Sequence, residues 1–162
     1  MTRWLTDEEQ RAWRAYLHAT HLLAEALERQ LQRDSGLPHA YYEILVRLSE
    51  APDRMLRMNE LADASQYSRS RLSHAASRLE AAGWIERLEC PTDRRGQLAR
   101  LTDDGFAALE AAAPGHVEAV RTLLFDPLSP EQVSQLRAIS EAVIARVQQW
   151  PVERGVSPTA AG

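Results

Sequence analysis

Residues 68–83 read SRSRLSHAASRLEAAG, and this stretch decides the fold. Ser68 is a suitable helix N-cap and Gly83 a suitable left-handed C-cap, so the pattern predicts a helix that ends at Ala82. At about 100° per residue, the apolar side chains fall on one side of this helix, which we expect to be buried. That side consists of Leu72, Ala75, Ala76 and Leu79.

The opposite side of the same helix carries small hydroxyl groups together with Arg and His side chains. Short side chains permit close approach to a DNA major groove, and long donors reach base edges and phosphates. A polar face of this kind can also serve only to solubilise an amphipathic helix, so the neighbouring elements decide between the two. The outward residues are Ser70, His74 and Ser77, flanked by Arg71, Ser73 and Arg78.

A shorter helix and a hairpin flank this helix in the sequence. Upstream, Asn59 is predicted to cap a brief helix that ends in a turn over 64–67. Downstream, two β-type runs at 84–89 and 97–101 flank Pro91–Gly96, whose Pro, Asp and Gly favour a turn with a basic tip. This is the order of a winged helix-turn-helix, in which a helix and a hairpin approach one DNA duplex together.

Composition and charge exclude several classes of protein. With 162 residues, 44% of them hydrophobic and 26% charged, the chain fits one globular unit. Its sole cysteine, Cys90, excludes an internal disulfide, and zinc-ligand spacings are absent. No membrane span or signal peptide is recognisable, so we expect a cytoplasmic protein without a membrane partner. The net charge is −4, yet residues 54–101 hold nine arginines against six acidic residues, which concentrates positive charge in the winged segment.

Two helices are predicted before the winged segment. Thr6–Glu9 forms a capping box that begins a helix over 7–33, and Pro38 suits the first position of a second helix over 38–50. A short strand is expected at 56–58. The apolar side of the first helix is too wide for a helix that lies singly on a small core, so a partner helix or a partner chain is implied.

Two further helices are predicted after the winged segment. Thr102 caps a fifth helix, in which Pro114 removes a backbone donor, so we expect a kink or short break near 112–115. Ser129 caps a sixth helix that runs to about Trp150 and again carries a continuous apolar stripe. A two-fold interface between two copies would bury these stripes.

The expected fold class is therefore mainly α with a small β wing: a winged helix-turn-helix with N- and C-terminal dimerisation helices. The expected domains are a helical dimerisation region at 1–37 and 103–150, a DNA-binding winged helix at 38–102, and a disordered tail at 151–162 that is rich in Pro, Gly, Ser and Ala.

The winged segment resembles the MarR family of bacterial transcriptional regulators. The resemblance covers about residues 57–105 and depends on the order and spacing of short motifs. The residues that carry it are Asn59–Ala62, Ser68–Leu72, Arg78–Arg87, Asp93–Arg95 and Leu101–Gly105.

This resemblance implies a homodimer of triangular outline, in which the first, fifth and sixth helices interleave across a two-fold axis and each winged helix meets half of a palindrome. Arg95 matches the family arginine that enters the minor groove, and Asp93 matches the acid that braces the hairpin. Many relatives bind small aromatic acids or phenols in a cleft between the dimer helices and the winged domain. The residues expected to line that cleft here are Trp13, Tyr16, His21, Tyr41 and Tyr42.

The function predicted from these features is that of a sequence-specific regulator of transcription, a repressor, which binds double-stranded DNA as a homodimer and is released by a small aromatic effector. The alternative is a winged helix that makes only protein contacts. Motifs of nucleophilic, nucleotide-binding and zinc enzymes are absent, so no catalysis, cofactor or metal is expected. The residues predicted to contact DNA are Ser68, Arg69, Ser70, Arg71, Ser73, His74, Ser77, Arg78, Asp93, Arg94 and Arg95.

Overall fold

A computed structural model describes residues 1–65, 67–90 and 93–150, with side chains at all of these positions except 93–95. The described part is mainly helical with a small antiparallel sheet, which confirms the predicted fold class. The helices are α1 (Asp7–Ser35), α2 (His39–Glu50), α3 (Met58–Ser65), α4 (Arg69–Ala81), α5 (Asp103–Val120) and α6 (Pro130–Gln148), and the strands are β1 (Met55–Arg57), β2 (Ile85–Cys90) and β3 (Asp93–Leu101).

The chain divides into two compact units, Met1–Leu123 and Leu124–Gly162. The first contains α1 to α5 and the sheet, and the second contains α6. The tail predicted to be disordered, 151–162, lies outside the described residues.

The core of the first unit lies where α1, α2, α3, α4 and the sheet meet. The apolar side of α4 is buried there, with Leu72 and Leu79 each only 1% exposed, as the helical pattern predicts. Burial of a leucine side chain contributes about 1.5–3 kcal/mol, so this contact fixes the rotation of α4 about its axis. The largest fully buried side chains around it are Leu31, Leu37, Ile44, Leu45, Leu48, Leu61 and Ile85.

The sheet has the strand order β1-β3-β2, and both pairings are antiparallel. β1 pairs only with Leu98–Arg100 of β3, whereas β2 follows β3 from Ile85↔Leu101 to Cys90↔Asp93. The predicted turn over 91–96 is therefore too long: residues 93–96 already belong to β3. The reason is that the ladder continues past Gly96, through a register shift between Glu89 and Cys90.

Most predicted helix caps are confirmed. Thr6 and Glu9 form the capping box of α1, Ser68 Oγ accepts from the Arg71 N–H at 3.2 Å, and Thr102 Oγ1 accepts from the Gly105 N–H at 3.0 Å. The predicted cap of α3 is wrong, because that helix begins at Met58 and continues to Ser65, which places Asn59 inside its first turn. Since Leu61, Ala62 and Ser65 are all buried, packing extends this helix into the predicted turn.

Helix α5 continues through Pro114, so of the kink or short break predicted near 112–115, the break does not occur. Pro114 itself is exposed, whereas Ala112 and His116 on either side of it are buried. His116 Nδ1 lies 3.2 Å from Gln30 Oε1 of α1. The loss of one backbone hydrogen bond, about 1 kcal/mol net, is offset by this packing against α1. The helical irregularity comes later, as a π-helical segment at Arg121–Phe125.

His116 joins three helices of the first unit. Its ring lies 4.5 Å from the ring of Tyr42 and 5.5 Å from that of His39, both on α2, and its Nδ1 faces Gln30 on α1. Burial, with a smaller contribution from the positive charge of His39, holds the pKa of His116 below its ordinary value. The neutral ring is therefore the form that fits this junction.

The beginning of α5 is held tightly against the end of the α4 segment. The Thr102 N–H donates to the Trp84 carbonyl at 3.0 Å, and Thr102 Oγ1 donates to the Gly83 carbonyl at 2.7 Å. Gly105 follows one turn later, and a Cβ atom there would lie 2.0 Å from the Trp84 carbonyl oxygen. Only glycine fits at this position, because the opposing atom belongs to the backbone.

We expect Gly105→Ala to lower the free energy of unfolding by about 2 kcal/mol or more, since the overlap with a backbone atom exceeds the gain of up to about 1 kcal/mol in helix propensity. Urea unfolding followed by circular dichroism measures the change. Gly115→Ala is the control, because its added Cβ would come no closer than 3.4 Å to Gln30 Nε2. Equal stability of the two variants would contradict this account of the contact.

Candidate nucleic-acid interface

The polar face of α4 lies at the surface of the first unit. The residues that the sequence assigns to DNA on this helix and its cap are all exposed, opposite the buried Leu72 and Leu79. This arrangement places hydroxyl, imidazole and guanidinium groups on one accessible surface, which we call the α4 polar face. Its members are Ser68, Arg69, Ser70, Arg71, Ser73, His74, Ser77 and Arg78.

The first turn of α4 is supported by a hydrogen-bonded tyrosine. The Tyr67 hydroxyl donates to Glu43 Oε2 at 2.8 Å, and the Arg71 guanidinium lies over the Tyr67 ring at 4.6 Å from its centroid. Burial, reinforced by the hydrogen bond to Glu43, raises the pKa of Tyr67 to about 12. The hydroxyl therefore keeps its proton and remains a donor, which holds the ring in place beneath Arg71.

Arg87 on β2 contacts the α4 polar face, a role that its place in the sequence motif does not reveal. Its Nη2 donates to Ser77 Oγ at 2.6 Å and to the Ser73 carbonyl at 3.1 Å. Its Nε lies 3.4 Å from Glu80 Oε2, close enough for an ion pair but outside hydrogen-bond geometry. Strand alternation is the feature of the sequence that could have indicated this contact, because it puts Arg87 on the same side of β2 as the buried Ile85.

The hairpin formed by β2 and β3 extends beyond the third strand. Because β1 stops pairing at Leu98, the rest of β3 meets β2 alone, through the pairs Glu89↔Gln97 and Cys90↔Asp93 with a register shift between them, and this two-stranded part is the wing. Asp93, Arg94 and Arg95 are the first three residues of β3, and their side chains lie outside the part of the chain that the structure describes. Cys90 ends β2 and is 6% exposed. The backbone thus places the predicted basic residues on the wing.

The structure does not bring the five predicted effector residues together. Trp13 and Tyr16 stack on each other at 6.2 Å on the exposed side of α1, and His21 Nε2 lies 3.3 Å from Glu25 Oε1. Tyr41 is half-buried in α2, and Tyr42 is buried against His116. The physical reason is that Tyr42 contributes to the core, whereas the α1 residues lie far from it along a long helix.

A different set of residues lines a groove of about 540 Å³ between α1, α2 and α4. Its wall is mainly apolar, with Leu23 and Leu27 from α1. The polar lining residues are Thr20, Glu25, Glu28, His39, Tyr67 and Arg71. None of the five predicted effector residues belongs to it. Since Arg71 also belongs to the α4 polar face, the groove borders the candidate interface directly.

Within residues 1–65, 67–90 and 93–150, no group of three or more His, Cys, Asp or Glu residues is arranged to hold a metal ion. None of the helices there combines the length and apolar character that crossing a membrane requires.

Comparison with known proteins gives consistent matches. Residues 35–96 match the model of the MarR family. The structure of Sco3205, a MarR family transcriptional regulator from Streptomyces coelicolor in complex with DNA, is 52% identical, covers 96% of this chain and 97% of that chain, and has a TM-score of 0.87.

Two curated relatives match over shorter parts. The HTH-type transcriptional regulator PecS of Dickeya dadantii (strain 3937) is 37% identical over 81 residues, which are 50% of this chain and 48% of PecS. The transcriptional repressor MprA of Escherichia coli (strain K12) is 28% identical over 131 residues, which are 80% of this chain and 74% of MprA. The chain thus spans about half the length of PecS. The match to Sco3205 extends over nearly the whole of both chains and includes the winged helix, and on this basis the protein belongs to the MarR family of transcriptional regulators.

Proposed function

We propose that this protein is a repressor that binds a palindromic operator in double-stranded DNA as a homodimer. The observation that carries the proposal is the α4 polar face, which is exposed beside a wing whose backbone holds Asp93–Arg95. The structure of Sco3205 in complex with DNA and the name of MprA as a repressor support it. Within this proposal, α4 enters the major groove and the wing approaches the adjacent minor groove.

The contacts proposed for α4 follow from side-chain length and charge. Ser70 and His74, which are exposed on the side opposite Leu72, read base edges. Arg78 lies at the margin of the α4 polar face and contacts phosphate. In the wing, Arg95 enters a narrow minor groove, where the negative potential of the DNA attracts a guanidinium, and Asp93 braces the hairpin.

The homodimer is proposed from apolar surface that each unit leaves exposed. In the first unit, Trp13, Tyr16 and Leu17 of α1 are each about half exposed. In the second unit, α6 exposes Ile139, Val143, Ile144 and Val147, the last of these at 63%. A second copy would cover both surfaces, and two-fold symmetry would place two α4 helices about 34 Å apart, one turn of DNA. This symmetry is what makes a palindromic operator the matching target.

We also propose that a small aromatic acid releases the DNA by occupying the groove beside α4. The groove offers apolar walls from Leu23 and Leu27 and a cationic residue, Arg71, which suit an aromatic ring bearing a carboxylate. Two glutamates also line it, but Glu25 pairs with Arg29 and Glu28 accepts from the His39 N–H. Because Arg71 belongs to both the groove and the α4 polar face, a carboxylate that binds it competes with its contact to DNA.

Arg95→Ala is expected to weaken binding to DNA by about 1–3 kcal/mol, since it removes a charged contact in the minor groove. The probe is a duplex recovered from a random library by the wild-type protein, and fluorescence anisotropy at several salt concentrations measures its affinity. The wild-type affinity should fall steeply with salt, because phosphate contacts release counterions. Arg11→Ala is the matched control, as it removes one exposed arginine that pairs with Glu8 on α1. Failure to enrich any duplex at low salt would instead favour a module that makes only protein contacts.

Val143→Glu is expected to shift the protein from dimer towards monomer, because it places a charge in the apolar stripe of α6. Sedimentation equilibrium should give twice 18.2 kDa for the wild type and a lower average mass for the variant. Ala145→Glu adds the same charge on the opposite side of α6 and should remain dimeric. A monomeric wild type would refute the proposed assembly.

Benzoate is expected to lower the affinity for the selected duplex by about tenfold at saturation, a typical coupling between two sites. Ala24→Trp should abolish this effect, because the tryptophan side chain fills the groove from an exposed position on α1. Without benzoate, the affinity of this variant for DNA should match that of the wild type. The control is Ala19→Trp, whose position lies outside the groove lining. If Ala24→Trp responded to benzoate like the wild type, the groove would not be the effector site.

A further inference from the structure

We infer that Arg87 is a positioning residue that couples α4 to the wing, and that Ser77 acts in DNA recognition through Arg87 and not by direct contact. This inference rests on the proposed function and refines it. It removes Ser77 from the residues predicted to contact DNA, and it adds Arg87 on β2 as a residue that positions α4. The atoms involved are Arg87 Nη2, Ser77 Oγ and the Ser73 carbonyl oxygen, which together we call the Arg87 clamp.

The Arg87 clamp joins β2, which leads into the wing, to α4; in the proposed function both the wing and α4 contact DNA. Arg87 lies in β2, two residues after Ile85, where β2 begins, and the same strand leads into the wing. Its Nη2 donates to Ser77 Oγ at 2.6 Å and to the Ser73 carbonyl at 3.1 Å, both on α4. Hydrogen bonds from a guanidinium are roughly twice as strong as neutral ones, so the strand and the helix are held at a fixed separation.

Burial and charge strengthen the clamp. The Arg87 side chain is only 19% exposed, and its Nε is shielded from solvent and lies 3.4 Å from Glu80 Oε2. Glu80 is also on α4, one turn after Ser77. A guanidinium this well shielded is held by the carboxylate as well as by the two hydrogen bonds, so its position is determined from three points on one helix.

The hydrogen bonds of Ser77 limit what this residue can offer to DNA. A hydroxyl has one proton and two lone pairs. Ser77 Oγ donates its proton to the Ser73 carbonyl at 3.0 Å and accepts from Arg87 Nη2. No donor remains for a phosphate oxygen or for the acceptors of guanine, so Ser77 is occupied in holding α4 although it lies on the exposed face.

The Arg87 clamp should matter more for sequence-specific binding to DNA than for non-specific binding. Base readout depends on the simultaneous placement of α4 in the major groove and the wing in the minor groove, whereas phosphate contacts tolerate small displacements. Loss of the clamp should therefore reduce discrimination between sequences more than it reduces the affinity for DNA in general.

The test compares two duplexes with the full-length protein at one salt concentration: the duplex selected by the wild type and a scrambled duplex of the same composition. Arg87→Met should lower the ratio of the two affinities by about tenfold and change the affinity for the scrambled duplex by less than about threefold. Arg87→Lys, which keeps the charge, should recover part of the ratio. Arg100→Met is the control, because Arg100 is a strand arginine that pairs with Glu86 on β2.

A double-mutant cycle then separates the two roles of Ser77. If Ser77 acts through Arg87, then Ser77→Ala should lower the ratio, and the double variant should be no worse than Arg87→Met alone. Additive losses would show that Ser77 contacts a base directly, and would overturn the inference. Equal losses on both duplexes with a reduced salt dependence would identify Arg87 as a phosphate contact and overturn it too, as would an unchanged ratio.

Two further outcomes are decided by separate measurements. If thermal melting shows that Arg87→Met does not fold, Arg87→Lys takes its place in the cycle with Ser77→Ala. A double variant that is no worse than Arg87→Lys alone supports the clamp, and additive losses refute it. If the wild type enriches no duplex, the proposed function fails before any variant is compared, and the inference fails with it.

Discussion

Burial of Leu72 and Leu79 beneath α4 is the constraint on which the rest of the candidate interface depends. These two leucines and the alanines between them fix how α4 is rotated, because any other rotation would expose large apolar side chains or bury arginines. The exposed position of Ser70 and His74 is a consequence of that packing. The interface is thus determined by the core and not by interactions among the polar residues themselves.

A second level of organisation comes from hydrogen bonds that connect α4 to its neighbours. At the beginning of α4, the hydrogen bond from the Tyr67 hydroxyl to Glu43 holds the Tyr67 ring beneath Arg71. At its end, the Trp84 and Gly83 carbonyls accept from Thr102, so the first turn of α5 lies directly against the exit of α4. Between these points Arg87 reaches α4 from the strand. These hydrogen bonds therefore connect α4 and the residues just after it to β2 and to the beginning of α5.

Local signals in the sequence predicted most of the elements, and tertiary packing accounts for the differences. The caps at Thr6, Ser68 and Thr102 were predictable because capping depends on a few adjacent residues. The continuity of α5 through Pro114 was not, since it depends on contacts of His116 with residues distant in the sequence. In the same way, the α4 polar face follows from helical periodicity, whereas the role of Arg87 requires knowing which helix its strand lies against.

The buried His116 couples the packing of α1, α2 and α5 to proton binding. Because its folded-state pKa lies below that of the unfolded chain, about 6.5, the unfolded state takes up a proton at a higher pH than the native state does. The stabilisation from the neutral ring is complete above this value and is lost as the pH falls towards the folded-state pKa. Acidification therefore weakens the junction of α1, α2 and α5, because it adds to the His116 ring a proton that burial and the charge of His39 disfavour.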